Sequence, residues 1–379
     1  MKKQSPQTRS HQVRKEMKRR KLGKKLRGRL KRRGLERAHR LRMGLRSTAT
    51  RSRASSSVAA LNVNAPEMFV LELPVHRDKL MEMLDTIRRR VLGEQKPVYV
   101  NFKPTTLMFP CGTLRFKAEI DRLHRITGDR QLIRCNYPED VVVEQVLQKV
   151  GILSILGKDE RQDPETFADN VRYWHSVSGE LADGEAVAPI VTQYRGVLAA
   201  SRNSDLYDGI VEAMINCAQH AYEHPRRDDH FGDLEPECRN WWMFSQEKDG
   251  KLTVALCDLG IGIPASLAET TNWPREFIES ALRAARMLSH RDARLIKTAV
   301  ELHKTRTREE HRGKGFSEIL DVVRKTGVGY LKIMSERGVY SYKATAPTNS
   351  LNDHRSSIKG TLVQWTIPLP EKRNECKES

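Results

Sequence analysis

The sequence predicts an α/β protein, built as two layered units behind a basic arm. Three observations lead there. Strand-like and helix-like segments alternate over residues 66–160. Over residues 190–370, a helix with a polar face precedes a hairpin, a Gly-rich turn and a final strand. The net excess of positive charge is confined to the first 53 residues.

In the first unit, "MFVLEL" (68–73) reads as a strand. Leu80, Leu84, Ile87 and Val91 then recur at helical spacing within "HRDKLMEMLDTIRRRVLG" (76–93). "PVYVNF" (97–102) and "QLIRCN" (131–136) are further strands. They flank a helix over 112–126 with Leu114, Ala118, Ile120 and Leu123 as core positions. "PEDVVVEQVLQKVGIL" (138–153) predicts a last helix, with Pro in its first turn and acids behind it. Such alternation predicts helices layered on a sheet.

In the second unit, "DLYDGIVEAMINCAQHAYEH" (205–224) predicts one helix. Ile210, Met214, Cys217 and Ala221 form its apolar stripe. Glu212, Asn216 and His220 recur every four residues, so they share a second face. The Asn216 carboxamide oxygen suits Mg²⁺, which takes oxygen ligands. Glu212 can polarise a water, and His220 can donate a hydrogen bond to phosphate. An ordinary polar outer face is the bland alternative for this helix alone.

"NWWMFSQEKDGKLTVALCD" (240–258) predicts a hairpin turning at Asp249-Gly250. It delivers Asp258 to a strand end, where Gly260 and Gly262 allow close approach of a ligand to the backbone. Residues 275–304 read as helices within a lid. "HRGKGFSEILDVV" (311–323) predicts a Gly-rich turn opening a helix, and Gly313, Gly315 and the helix N-terminus suit phosphate. "KGTLVQWTIPL" (359–369) predicts a final strand beginning near Thr361.

The full chain has 379 residues and a formal net charge of +19. Residues 1–53 hold 22 Lys or Arg against two acids, leaving 45 basic and 46 acidic residues in the rest. The arm, residues 1–57, is expected to be disordered, since three glycines and like-charge repulsion oppose a helix through Leu22, Leu26 and Leu30. Nucleic acid or another polyanion is its first-ranked partner, because dense Lys and Arg release counterions. A solvated tail, an anionic membrane and a transit peptide follow in that order. The six cysteines form no C-x-x-C pair, and no apolar run is long enough to span a bilayer. A cytoplasmic protein is expected. The His, Asp and Cys residues of 224–238 fit no zinc spacing.

Two resemblances follow from these segments. Residues 98–153 resemble a STAS-type domain in layout, the fold of anti-sigma-factor antagonists. Its Asp-Ser-Ser-Gly turn is matched here by Phe109-Pro110-Cys111-Gly112. Cys111 replaces the phosphorylatable Ser, so a docking domain that takes a protein partner is expected in place of a phospho-switch.

Residues 195–370 resemble the ATP-binding domain of the GHKL superfamily, through "INCAQHAY", "DLGIGIP", "HRGKGFSEIL" and the closing strand, in that order. The fold implied is an α+β sandwich of the Bergerat type. The ligands implied are ATP and Mg²⁺. Asp258 would accept the adenine amino group, Gly262 would pack under the base, and Thr361 would support the same pocket. Asn216 would bind Mg²⁺, Glu212 would act as general base, and His220 would reach phosphate. Gly313, Lys314 and Gly315 would belong to the lid. ATP hydrolysis, phosphoryl transfer to Ser or Thr of a partner, and a nucleotide-switched binding module all remain open.

Overall fold

The structure is a computed structural model. It describes residues 59–180, 200–222, 239–269, 279–280, 282–283, 287, 289–305, 315–325, 327–346 and 348–369. The basic arm lies outside them.

The protein is a mixed α/β structure centred on a seven-stranded antiparallel sheet. Its strands are β6 (His175–Gly179), β7 (Trp241–Lys248), β8 (Lys251–Asp258), β9 (Tyr330–Ser335), β10 (Gly338–Lys343), β11 (Ser350–Asp353) and β12 (Thr361–Pro368), in spatial order β11-β10-β9-β12-β8-β7-β6. The β7–β8 turn carries Asp249 and Gly250 at φ 51° and 65°, the left-handed pair that a two-residue hairpin needs.

The central strands β12, β8 and β7 are buried on both faces over most of their length. Side chains alternate along a strand, and the alternation assigns each residue to a face. Leu252, Val254 and Leu256 share one core with Trp241, Ile333, Val363 and Trp365. Ala255 and Cys257 join the other, with Trp242, Phe244, Met334 and Leu362.

The first face is covered by α6 (Ala200–Asn216), α7 (Ile263–Glu269), α8 (Arg291–Thr305) and α9 (Gly315–Arg324). Ala293, Leu295, Ile296, Ala299 and Val300 of α8 are buried. Residues 291–305 are therefore a packed core helix, which corrects their assignment to a lid. A lid must expose its inner surface when open, and these side chains are committed to the sheet.

The second face is covered by the N-terminal layer. Its elements are β1 (Leu61–Asn64), β2 (Met68–Phe69), α1 (Pro74–Arg88), β3 (Val98–Asn101), β4 (Leu107–Met108), α2 (Pro110–Thr127), β5 (Ile133–Cys135), α3 (Val141–Lys149), α4 (Ile152–Ile155) and α5 (Asp169–Arg172). The parallel sheet runs β1-β3-β5, and β2 pairs with β4. Helix α2 packs on β7 and β8. Phe167, Val171 and Trp174 complete the same core.

Four elements differ from the sequence expectations. β1, "LNVN", was not anticipated, because its exposed flank makes it too polar to stand out. The 68–73 strand stops at Phe69, where the chain bends toward α1. α3 starts at Val141, capped by the Asp140 carboxylate accepting the Val143 N–H at 2.9 Å, so Pro138 lies outside it. Edge strand β6, "HSVSG", has a single large apolar residue.

Candidate functional site

Asp258, Thr361 and Ser335 stand side by side across β8, β12 and β9. The ladder pairs Thr361 with Asp258 on one side and with Ser335 on the other. Alternation puts all three on the helix-covered face, since Leu256, Val363 and Ile333 two residues away belong to that core. The row closes the ends of three strands with polar groups in an apolar setting. Asp258 is 5% exposed and Thr361 9%.

Each member is held. The hydroxyls of Ser335 and Thr361 lie 3.1 Å apart in a hydrogen bond. Ser335 Oγ also accepts the Ile263 N–H at 2.8 Å, and the hydroxyl lies 3.1 Å from the Gly360 carbonyl. Asp258 Oδ1 accepts the Gly260 N–H at 2.9 Å. The Cys217 thiol lies 3.5 Å from Asp258 Oδ2. Burial and then the Asp258 charge push the Cys217 thiol well above its ordinary pKa. Burial and the same carboxylate push Tyr222 up as well. Both groups stay neutral at physiological pH. Tyr222 donates to the Asn240 carbonyl at 2.6 Å and accepts the Leu259 N–H at 3.0 Å, pinning the turn after Asp258.

The glycines have packing reasons of their own. A Cβ on Gly260 would overlap the Ala221 carbonyl oxygen, which accepts the Ile261 N–H at 2.8 Å. Gly262 has φ +77°, and a Cβ there would meet Glu336 Oε1 at 2.9 Å and Ser335 Oγ at 3.0 Å. The turn is thus pressed between the end of α6 and the β9–β10 turn.

α6 supplies the second wall. The continuous helix expected over 205–224 is corrected: regular α-helix ends at Asn216, and Cys217–Ala221 form a π-helical turn. Such turns widen the backbone and occur often at functional sites. Glu212 and Asn216 remain one turn apart on α-helical backbone and are half-buried. His220 lies in the widened turn and is exposed.

Asn216 bears on the fit of a metal. Its Nδ2 is buried with no hydrogen-bond partner. Nδ2 is a donor, so what would complete it is an acceptor such as water or a phosphate oxygen, not a cation. Among the described residues, no group of three or more His, Cys, Asp or Glu is placed to hold a metal ion. A hard cation such as Mg²⁺ would have to be taken by the Asn216 side-chain oxygen as a single protein ligand beside phosphate and water.

Gly313 and Lys314 lie outside the described residues, and Gly315 is the first residue of α9. Ser335, Tyr222 and Cys217 were not singled out by role from the sequence. The signal for Ser335 was available: it is the helix-face residue at the end of its strand, as Asp258 and Thr361 are of theirs.

Cys111 is 1% exposed, and its thiol meets the Gln364 side chain on the second face of the large sheet. Burial pushes its pKa well up. Phe109 at the start of the turn is exposed, whereas Cys111 itself is enclosed and out of reach of a modifying enzyme.

No protein-family model matches the chain, and no curated protein matches its sequence.

Proposed function

We propose that this chain is a Mg²⁺-ATP-binding protein of the GHKL type that hydrolyses ATP, with lid closure controlling a partner. The observation that supports it best is the row of Asp258, Thr361 and Ser335 at one end of the sheet.

In this reading, Asp258 accepts the adenine amino group, and its carboxylate selects a base that donates there. Gly262, bare and at positive φ, gives the base a flat surface. Asn216 would hold the cation through its side-chain oxygen, and the cation would supply positive charge to offset that of the phosphates. Glu212, one helical turn away, accepts a proton from the attacking water. His220 and the 313–315 turn serve the phosphates.

The burial of Cys111 favours an ATPase or nucleotide switch over a kinase that phosphorylates its own N-terminal layer. The arm is proposed to bind nucleic acid or another polyanion. Deleting residues 1–56 is expected to remove that binding and spare nucleotide binding.

The experiment is phosphate release by the purified chain beside a Glu212→Ala variant. The variant is expected to keep Mg²⁺-ATP affinity and to lose hydrolysis by roughly 100-fold or more. Label transfer to a protein partner without phosphate release would favour the kinase reading. Binding with neither would favour the switch.

A further inference from the structure

One wall of the candidate site is assembled by the N-terminal layer. Residues 354–360 join β11 to β12 and fold against Glu336, which sits at φ 51°. The Glu336 carboxylate accepts the Ser357 hydroxyl at 2.6 Å and the Gly360 N–H at 3.3 Å. Its carbonyl accepts the Ile358 N–H at 2.9 Å. Gly360 in turn lies so close to the Asp258 carbonyl that a Cβ would overlap it, and Glu336 Oε1 borders Gly262.

A segment of this length without regular structure opens readily unless it is tied down. The ties come from α1 and α2. Arg77 is fully buried; its Nε donates to the Ser356 carbonyl at 3.0 Å and its Nη2 to the Glu336 carbonyl at 2.8 Å. Arg115, also buried, donates from Nε to the Ile358 carbonyl at 2.6 Å. Asp85 pairs with Lys359 at 2.7 Å. Burial lowers the Arg77 pKa to about 10, opposed by Asp78, Glu72, Glu336 and Asp353, so it remains charged at neutral pH. Only a guanidinium has the forked geometry to reach both carbonyls at once.

We propose that Arg77 is a positioning residue of the nucleotide site: by clamping the 354–360 loop to the turn at Glu336, it sets the wall against which the base rests. The inference rests on the nucleotide reading above. It makes the N-terminal layer part of the site, although none of its residues is expected to touch nucleotide.

The test uses the full chain as wild type, Arg77→Met, Arg77→Lys and Leu84→Ala. Leu84 is a buried residue of the same helix that makes none of these loop hydrogen bonds. Mg²⁺-ATP is titrated into each, and amide exchange of Ile358, Lys359 and Gly360 is followed without nucleotide. Arg77→Met is expected to weaken Mg²⁺-ATP about tenfold and to speed exchange at those amides. Arg77→Lys should recover part of both, since an ammonium can serve one carbonyl. Leu84→Ala should lower the melting temperature and change neither readout. Wild-type affinity and exchange in Arg77→Met would overturn the proposal, as would equal losses in Leu84→Ala. Absence of Mg²⁺-ATP binding by wild type would overturn the nucleotide reading and this inference with it.

Discussion

On one face of the seven-stranded sheet, α6, α8 and α9 pack with aliphatic side chains such as Ile210, Val300 and Ile319. On the other, α2 carries Arg115, Lys117 and Glu119 into the interior. Arg88, Arg115 and Arg122 converge on the buried Glu119 at 2.7, 2.9 and 2.8 Å. Burial raises the Glu119 pKa, and Arg122, Arg88 and Arg115 more than offset it, holding the carboxyl well below the ordinary range. The charges on that face meet one another and, through Nε of Arg77 and Arg115, the carbonyls of the 354–360 loop. On the helix-covered face, Asp258 ends its strand beside the Cys217 thiol, and the Asn216 Nδ2 donor has no hydrogen-bond partner. Buried polar atoms without a hydrogen-bond partner occur on both faces, Nη1 of Arg77 and of Arg115 on one and Nδ2 of Asn216 on the other, so the contrast lies in the ion network of the N-terminal layer.

The largest effect on this contrast should come from Glu119→Ala. It strands three buried guanidinium groups, and loss of one partner from a buried ion network costs about 3–5 kcal/mol. Urea denaturation measures it. A loss below about 1 kcal/mol would show that the cluster is solvated and the contrast mistaken.

Gly260→Ala comes next. The new methyl group would meet the Ala221 backbone, which cannot swing aside, so a loss of about 3 kcal/mol is expected. Gly250→Ala is the comparison: it has φ +65° and open space, so only the left-handed strain of about 1 kcal/mol applies. Equal losses would mean that the turn after Asp258 is not pressed against α6.

The third effect is pH-dependent. Lys117 donates to the Val150 carbonyl at 2.7 Å, and burial, opposed by Asp121, lowers its pKa to about 8. The unfolded chain, with a lysine pKa of about 10.4, then binds more protons between those values. Stability contributed by Lys117 should therefore rise as pH rises across that window. Relative to Lys117→Met, the wild type should gain about 2 kcal/mol between pH 7.5 and 10.5. A flat difference would place this amine in water.

Much of this arrangement was legible in the sequence, for identifiable reasons. The run Leu252–Cys257 alternates between two buried faces, and Asp249-Gly250 demands a tight turn, so the hairpin and the position of Asp258 were plain. The α2 helix, with Leu114, Ala118 and Leu123, carried its period openly. Three features were hidden. The π-helical turn at Cys217–Ala221 comes from tertiary packing against Ile261 and leaves the residue pattern unchanged. Residues 291–305 are rich in charge, and only the sheet reveals that Ile296 and Val300 are core. Cys111 reads as a small hydrophobe, and its meeting with Gln364 spans a separation that no local pattern encodes.

The most direct measurement is calorimetric titration of Mg²⁺-ATP into the wild type and Asp258→Asn. The substitution keeps the shape of the side chain and removes the charged acceptor. The account predicts binding by the wild type and affinity lower by roughly 100-fold in the variant, the scale of a hydrogen bond to a charged group. Equal affinity in the two proteins would contradict it.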